Sequence, residues 1–143
     1  MKILFVCHGN TGRSQVAEAL FNRLSRHQAR SAGTRVEASL AKRGTNTSTV
    51  KDAEGAQPVI EYMRDEGINV SDKTRSQLTR EMVEVSDRVV VITAKETWPE
   101  YLMNNSKVDF WDIPNPLNMD SEAARAVYEK VKKHVKDLVS EIG

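Results

Sequence analysis

The sequence predicts an α/β fold: one domain over residues 1–143, a three-layer sandwich with a central four-stranded parallel sheet and helices on both faces. Three observations carry this expectation. Short apolar or β-branched runs alternate with segments of helical periodicity, the order that builds a parallel sheet. The first such run, Ile3-Leu4-Phe5-Val6, is continuously apolar, as a strand covered on both faces should be. A length of 143 residues suits a single core, and no repeat, low-complexity tract or second domain interrupts it.

Taken in order, residues 2–6 form the first strand. A helix follows from Gln15, where Val16, Ala17, Leu20, Phe21 and Leu24 keep one face apolar through about residue 27. Ser14 is placed to cap it. Arg30 to Thr34 reads as a short second strand. Residues 35–55 are polar, with Gly44, Thr45, Asn46, Thr47, Ser48 and Thr49 together, and read as an irregular excursion. Helical spacing returns at Gln57: Pro58 suits a first turn, Val59, Ile60 and Met63 make a face, and Gly67 stops it. Thr79 is positioned to cap a short helix through Val85. Val89-Val90-Val91-Ile92 is a β-branched run and the third strand. Glu96 to Asn104 is read as helical, and Val108-Asp109-Phe110-Trp111 as the fourth strand. The last helix carries Val127, Val131, Val135, Leu138 and Ile142 along one side.

Composition narrows the function class. Twenty-one basic and 20 acidic residues leave a net charge of +1, so neither nucleic acid nor a membrane surface is favoured as a partner. No apolar run reaches membrane-spanning length, and the first residues lack a signal-peptide pattern. The single cysteine excludes an internal disulfide and fits a reducing, cytoplasmic compartment. Asn46-Thr47-Ser48 and Asn104-Asn105-Ser106 are accordingly read as chance glycosylation triplets. One cysteine and three widely spaced histidines make no metal-ligand cluster.

The chemistry concentrates at Cys7-His8-Gly9-Asn10-Thr11-Gly12-Arg13-Ser14. This segment closes the first strand and opens the first helix, which is where open α/β sheets hold ligands. Its small, turn-forming residues let backbone N–H groups converge, and a helix N-terminus favours an anion. The same field favours the thiolate form of Cys7, the nucleophilic one. Arg13 can grip two oxygens of a tetrahedral oxyanion with its planar fork. No Gly-Lys-Ser/Thr follows, so the loop is not a nucleotide-binding Walker loop.

The spacing Cys7-x-Gly9-Asn10-x-x-Arg13-Ser14 resembles the active-site loop of the low-molecular-weight protein tyrosine phosphatases and of the arsenate reductases that share their fold. Ser31-Ala32-Gly33-Thr34, Gly67-Ile68-Asn69-Val70-Ser71, Gln77-Leu78-Thr79 and Ser86 to Thr93 resemble further segments of that superfamily, in order. Only about residues 35–55 lie outside the match. The resemblance implies a cysteine-dependent phosphatase acting on phosphate monoesters, protein phosphotyrosine among them. Cys7 would attack phosphorus and form a cysteinyl-phosphate that water then hydrolyses. His8, Gly9, Asn10, Thr11, Gly12 and Arg13 would bind the phosphate, with Asn10 bracing the loop. Ser14 would donate to the Cys7 sulfur. No cofactor and no metal is implied. The expected partner is a phosphorylated small molecule or a phosphoprotein, and the expected working state is a monomer or weak dimer.

The chain departs from the family at the general acid, an aspartate usually found in Asp-Pro after the fourth strand. Phe110-Trp111-Asp112-Ile113-Pro114-Asn115-Pro116 places Asn115 before the matching proline. An asparagine amide has no proton to give, so Asp112 is the candidate to take over the role. The aromatic residues that follow Asp-Pro and stack on phosphotyrosine have no counterpart at Leu117 and Asn118. Gly12 stands where many phosphatases of the family carry a second cysteine. Two alternatives stay open at this stage. Gly12-Arg13-Ser14-Gln15-x-Ala17 is close to the arsenate reductases, which here would need an external thiol. A non-catalytic oxyanion-binding module with a degraded acid loop is the other.

Overall fold

Ile3 to Val6 alternate their side chains across the sheet, and both sets are buried. This makes β1 (Lys2–Cys7) the central strand of the fold. The computed structural model describes residues 1–43 and 48–143. Its elements run β1, α1 (Arg13–Leu24), β2 (Gln28–Gly33), α2 (Val36–Arg43), α3 (Gln57–Asp65), α4 (Arg80–Val85), β3 (Arg88–Val91), β4 (Val108–Phe110) and α5 (Ser121–Ile142). The four strands pair in parallel, as the sequence predicts, and their order is β2-β1-β3-β4. The register sets Cys7 opposite Gly33 and Val6 opposite Val91, so β1, β2 and β3 finish together at one edge.

Ile3, Phe5, Cys7, Val90 and Ile92 pack with residues of α1, α3 and α5 on one face. Leu4, Val6, Val89 and Val91 pack with Leu78, Val83 of α4 and Leu102 on the other. The core is therefore two layers of side chains divided by the sheet. Thr79 caps α4 through Met82 N, and Gly67 ends the turn after α3 at φ +82°, both as expected.

Several boundaries differ from the sequence reading. The stretch 35–55, expected to be irregular, contains α2 and a 3₁₀ turn at Val50–Asp52, while residues 44–47 lie outside the described residues. Val36 and Leu40, four positions apart, are both buried, and that narrow contact holds a helix that is otherwise polar. The segment from Glu96 to Asn104, read as helical, is instead two 3₁₀ turns, Lys95–Thr97 and Glu100–Leu102. Pro99 falls between them and cannot continue an α-helical ladder. α1 ends at Leu24 because Ser25 is already extended (φ −118°, ψ 151°), and β2 begins two residues earlier than expected.

The strand edge is tied to the loop after β1. Thr34 N donates to Cys7 O and Arg35 N to His8 O, each at 3.0 Å. Gly33 sits under this junction: a Cβ there would lie 2.6 Å from His8 O and 2.8 Å from Asn10 N. Both are backbone atoms that cannot swing aside. Gly33→Ala is expected to cost about 1–3 kcal/mol of stability by overpacking. For a domain of this size that is a fall in melting temperature of about 3–10 °C. A thermal melt of the variant beside wild type checks it, and an unchanged melt would show that the junction yields.

Candidate active site

Cys7 is the last residue of β1 and is almost fully buried (2% exposed). Residues 8–12 form the loop that carries the chain into α1. Their backbone N–H groups have no protein acceptor among the described residues, so they remain available to an anion. α1 has no acidic residue in its first turn, which keeps its N-terminus electropositive.

Asn10 organises the loop. It is fully buried, in the left-handed region at φ +52°, where asparagine is tolerated better than most residues. Its Nδ2 donates to Ser14 Oγ (2.8 Å) and Ser31 Oγ (3.0 Å). Its Oδ1 accepts from Ser76 N (2.8 Å) and Gln15 Nε2 (3.2 Å). Ser14 Oγ, which accepts from Asn10, also lies 2.9 Å from Cys7 Sγ in a hydrogen bond that either atom can donate. The network continues outward: Ser31 donates to Glu18 Oε1 at 3.1 Å, and Lys73 pairs with Glu18 Oε2 at 2.9 Å.

Ser14 therefore does not cap α1. Gly12 occupies the N-cap position with no side-chain cap bond, and the Ser14 hydroxyl is engaged with Cys7 and Asn10 instead. Arg13, 6% exposed, donates from Nη1 to the carbonyls of Ile92 and Ile113, 2.9 Å each. It thereby ties the end of β3 and the segment after β4 to the loop. Arg75, another buried arginine, donates from Nε to Gly9 O and from Nη1 to Ser48 Oγ, both at 2.9 Å.

These residues line a cleft of about 230 Å³. Cys7, His8, Gly9, Thr11, Gly12 and Arg13 form its floor and one side, and Arg35, Arg75, Glu54, Pro58, Asn115, Leu117 and Tyr128 complete it. Of the residues expected at the site, Asn10 is packed beneath the loop. Asn115 lines the cleft, and its Oδ1 accepts from Leu117 N at 3.0 Å. Asp112 is exposed and is not brought into this cleft. It lines an adjoining groove of about 530 Å³ with His8, Arg13, Lys95 and Asn115. The sequence reading missed Arg35, Arg75, Glu54 and Tyr128. Each lies far from Cys7 along the chain, and no local pattern marks any of them.

His8 is held below its ordinary titration range, first by partial burial and then by the Arg35 and Arg13 guanidinium groups. The folded imidazole refuses a proton that the unfolded one accepts below about its reference value of 6.5. Stability is thus expected to fall as the pH drops from about 6.5 toward the lower folded value, and His8→Gln should make that fall shallower. Melting temperatures of both proteins between about pH 5 and 7 check it; parallel curves would remove His8 from the account.

The family model described as low molecular weight phosphotyrosine protein phosphatase matches residues 2–143. A putative arsenate reductase of Halobacterium salinarum is 27% identical over 140 residues, spanning 98% of this chain and 92% of that protein. A low molecular weight protein tyrosine phosphatase from T. tengcongensis superposes with a TM-score of 0.76 at 25% identity, covering 99% of each chain. The YwlE arginine phosphatase, in a cysteine-to-serine form with a phosphorylated active-site serine, gives a TM-score of 0.78 at 21% identity. That match covers 99% of this chain and 95% of the other, and at this identity it speaks to the fold.

Proposed function

Because this chain belongs to the low molecular weight phosphotyrosine protein phosphatase family, whose members are hydrolases acting on phosphorylated substrates, we propose that it hydrolyses phosphate monoesters through a cysteinyl-phosphate. The observation that carries this reading is the placement of Cys7 in the cleft with Ser14 Oγ 2.9 Å from its Sγ, positioned to donate to a thiolate. Only the thiolate accepts such a bond strongly, and the thiolate is the nucleophile.

In the first step Cys7 Sγ attacks phosphorus in line. An S–P bond forms, the P–O bond to the leaving group breaks, and the departing oxygen takes up a proton. Residues 8–13 supply backbone donors to the three equatorial oxygens, and Arg13 supplies its remaining guanidinium N–H groups. Its link to Ile92 and Ile113 keeps those groups in place without reorganisation. In the second step water attacks phosphorus, inorganic phosphate leaves, and Sγ returns as a thiolate stabilised by Ser14.

Substrate choice follows from the walls. Leu117 stands at the family's aromatic position, and Glu54 places a carboxylate on the wall facing the substrate. Both features disfavour the flat, uncharged ring of phosphotyrosine and favour a non-aromatic phosphate ester that carries a positive charge. The lone cysteine supports a reducing, cytoplasmic setting, and no helix among the described residues is long and apolar enough to cross a membrane. We take the working state to be a monomer or weak dimer.

Thiol-coupled arsenate reduction is the second reading, favoured by the relative from Halobacterium salinarum. Arsenate has the shape and charge of phosphate, so the same cradle suits it. Cys7 is the only cysteine, so an external thiol would have to release the arsenic and carry the oxidation.

One pair of assays separates the readings. Purified protein should release phosphate from p-nitrophenyl phosphate with no reductant beyond what keeps Cys7 reduced, and peptides carrying phosphoarginine or phosphotyrosine then rank the substrates. No phosphate release, with thiol consumed only when arsenate is present, would replace the phosphatase by the reductase. Neither activity, with thermal stabilisation by phosphate, would leave an oxyanion-binding module.

A further inference from the structure

We propose that the Tyr128 hydroxyl is a hydrogen-bond donor of the active site and contacts the phosphoryl group held against Cys7. The proposal rests on the phosphatase reading and adds a binding residue from α5, more than a hundred positions from the loop.

Three observations carry it. Tyr128 is 3% exposed and lines the cleft together with Cys7 and Arg13, its ring packed 5.5 Å from that of Tyr62. Among the described residues its hydroxyl makes no hydrogen bond to protein, and the residue lines the cleft, so its O–H is available to a ligand there. That hydroxyl is also aimed at the anion loop. A Cβ placed on Gly12 would lie 2.6 Å from Tyr128 Oη and 3.2 Å from Cε1. Gly12 immediately precedes Arg13, so the hydroxyl abuts the backbone that cradles the anion.

The direction of donation is set by charge. Burial, and then the neighbouring Cys7, raise the phenol above its ordinary range, so it keeps its proton throughout the pH range of a working enzyme. A protonated phenol beside a multiply charged oxyanion donates to it. The loop contributes backbone N–H groups from below and Arg13 contributes guanidinium groups. Tyr128 adds a donor from the α5 side, where the loop has only the bare Cα of Gly12. The lack of a side chain at residue 12 is then a requirement of the site: a methyl there would displace the hydroxyl.

Tyr128→Phe removes one oxygen and keeps the ring. The variant is expected to bind inorganic phosphate about ten- to a hundredfold more weakly by calorimetry, the usual loss for one hydrogen bond to a charged acceptor. Its kcat/KM for p-nitrophenyl phosphate should fall by a similar factor. A phosphate affinity within twofold of wild type would overturn the proposal. If wild type itself neither binds phosphate nor turns over, the phosphatase reading fails instead. Gly12→Ala tested in both backgrounds guards against a folding artefact. It should lower the melting temperature less in the Tyr128→Phe background, where the oxygen it meets is gone. An equal loss in both would show that the hydroxyl does not press on the loop, and would overturn the geometry on which the proposal stands.

Discussion

Cys7→Ser is expected to reduce p-nitrophenyl phosphate hydrolysis by at least about a thousandfold while leaving inorganic phosphate bound. The reason lies in what surrounds Sγ. Ser14 Oγ lies 2.9 Å from it, positioned to donate to a thiolate there, while the Asn10 amide donates to Ser14. A donor stabilises a thiolate that is already ionised, but it cannot take the proton from an alcohol. A serine at position 7 would therefore remain largely protonated and be a far weaker nucleophile and leaving group. The cradle itself does not depend on sulfur, since the Arg13 links to Ile92 and Ile113 and the Asn10 bonds are untouched by the change. Phosphate should accordingly still raise the melting temperature of the variant. Steady-state rates and a thermal shift with phosphate measure the two halves. A variant retaining more than a tenth of the wild-type rate would remove Cys7 as the nucleophile.

Asn115→Asp is expected to raise turnover of a poor leaving group, such as phenyl phosphate, by about a hundredfold or more. p-Nitrophenyl phosphate should gain much less, because its leaving group needs little protonation. Asn115 lines the cleft that holds Cys7, so a carboxyl there is within the space the leaving oxygen must cross. Asp112→Asn, by contrast, should change either rate by less than about threefold. Asp112 lines the adjoining groove, and that groove does not include Cys7. The measurement is the ratio of the two rates in each variant. If Asp112→Asn collapses phenyl phosphate turnover and Asn115→Asp does nothing, the acid reaches the cleft from position 112 after all.

The anion loop was legible because its chemistry is local. Cys7, Asn10, Arg13 and Ser14 lie within eight consecutive residues, and the strand before and helix after them have their own periodicities. The order of strands and helices, and with it a parallel sheet, was legible for the same reason. The helix α2 was not, since Val36 and Leu40 are too few apolar positions to show a face in a polar stretch. The Glu96–Asn104 error came from weighing composition above Pro99, whose missing N–H breaks the segment into two turns. Ser14 was expected both as a cap and, through the resemblance, as a partner of Cys7; Gly12 takes the cap position, and the Ser14 hydroxyl meets Cys7 and Asn10.

What the sequence alone determined was the loop with its candidate nucleophile, the helix behind it and the edge of the sheet on which they stand. Spacing between near neighbours is preserved in any fold those residues adopt. The walls of the cleft were decided only by the tertiary structure. Arg75, Asn115 and Tyr128 converge on Cys7 because parallel pairing brings the carboxyl ends of β1 and β3 together and because α1, α3 and α5 share one face of the sheet. The separation of Asn115 from Asp112 is of the same kind. Three residues apart in sequence, both line the adjoining groove, but only Asn115 also reaches the cleft of Cys7, and the path between them is held where Arg13 bonds Ile113 O.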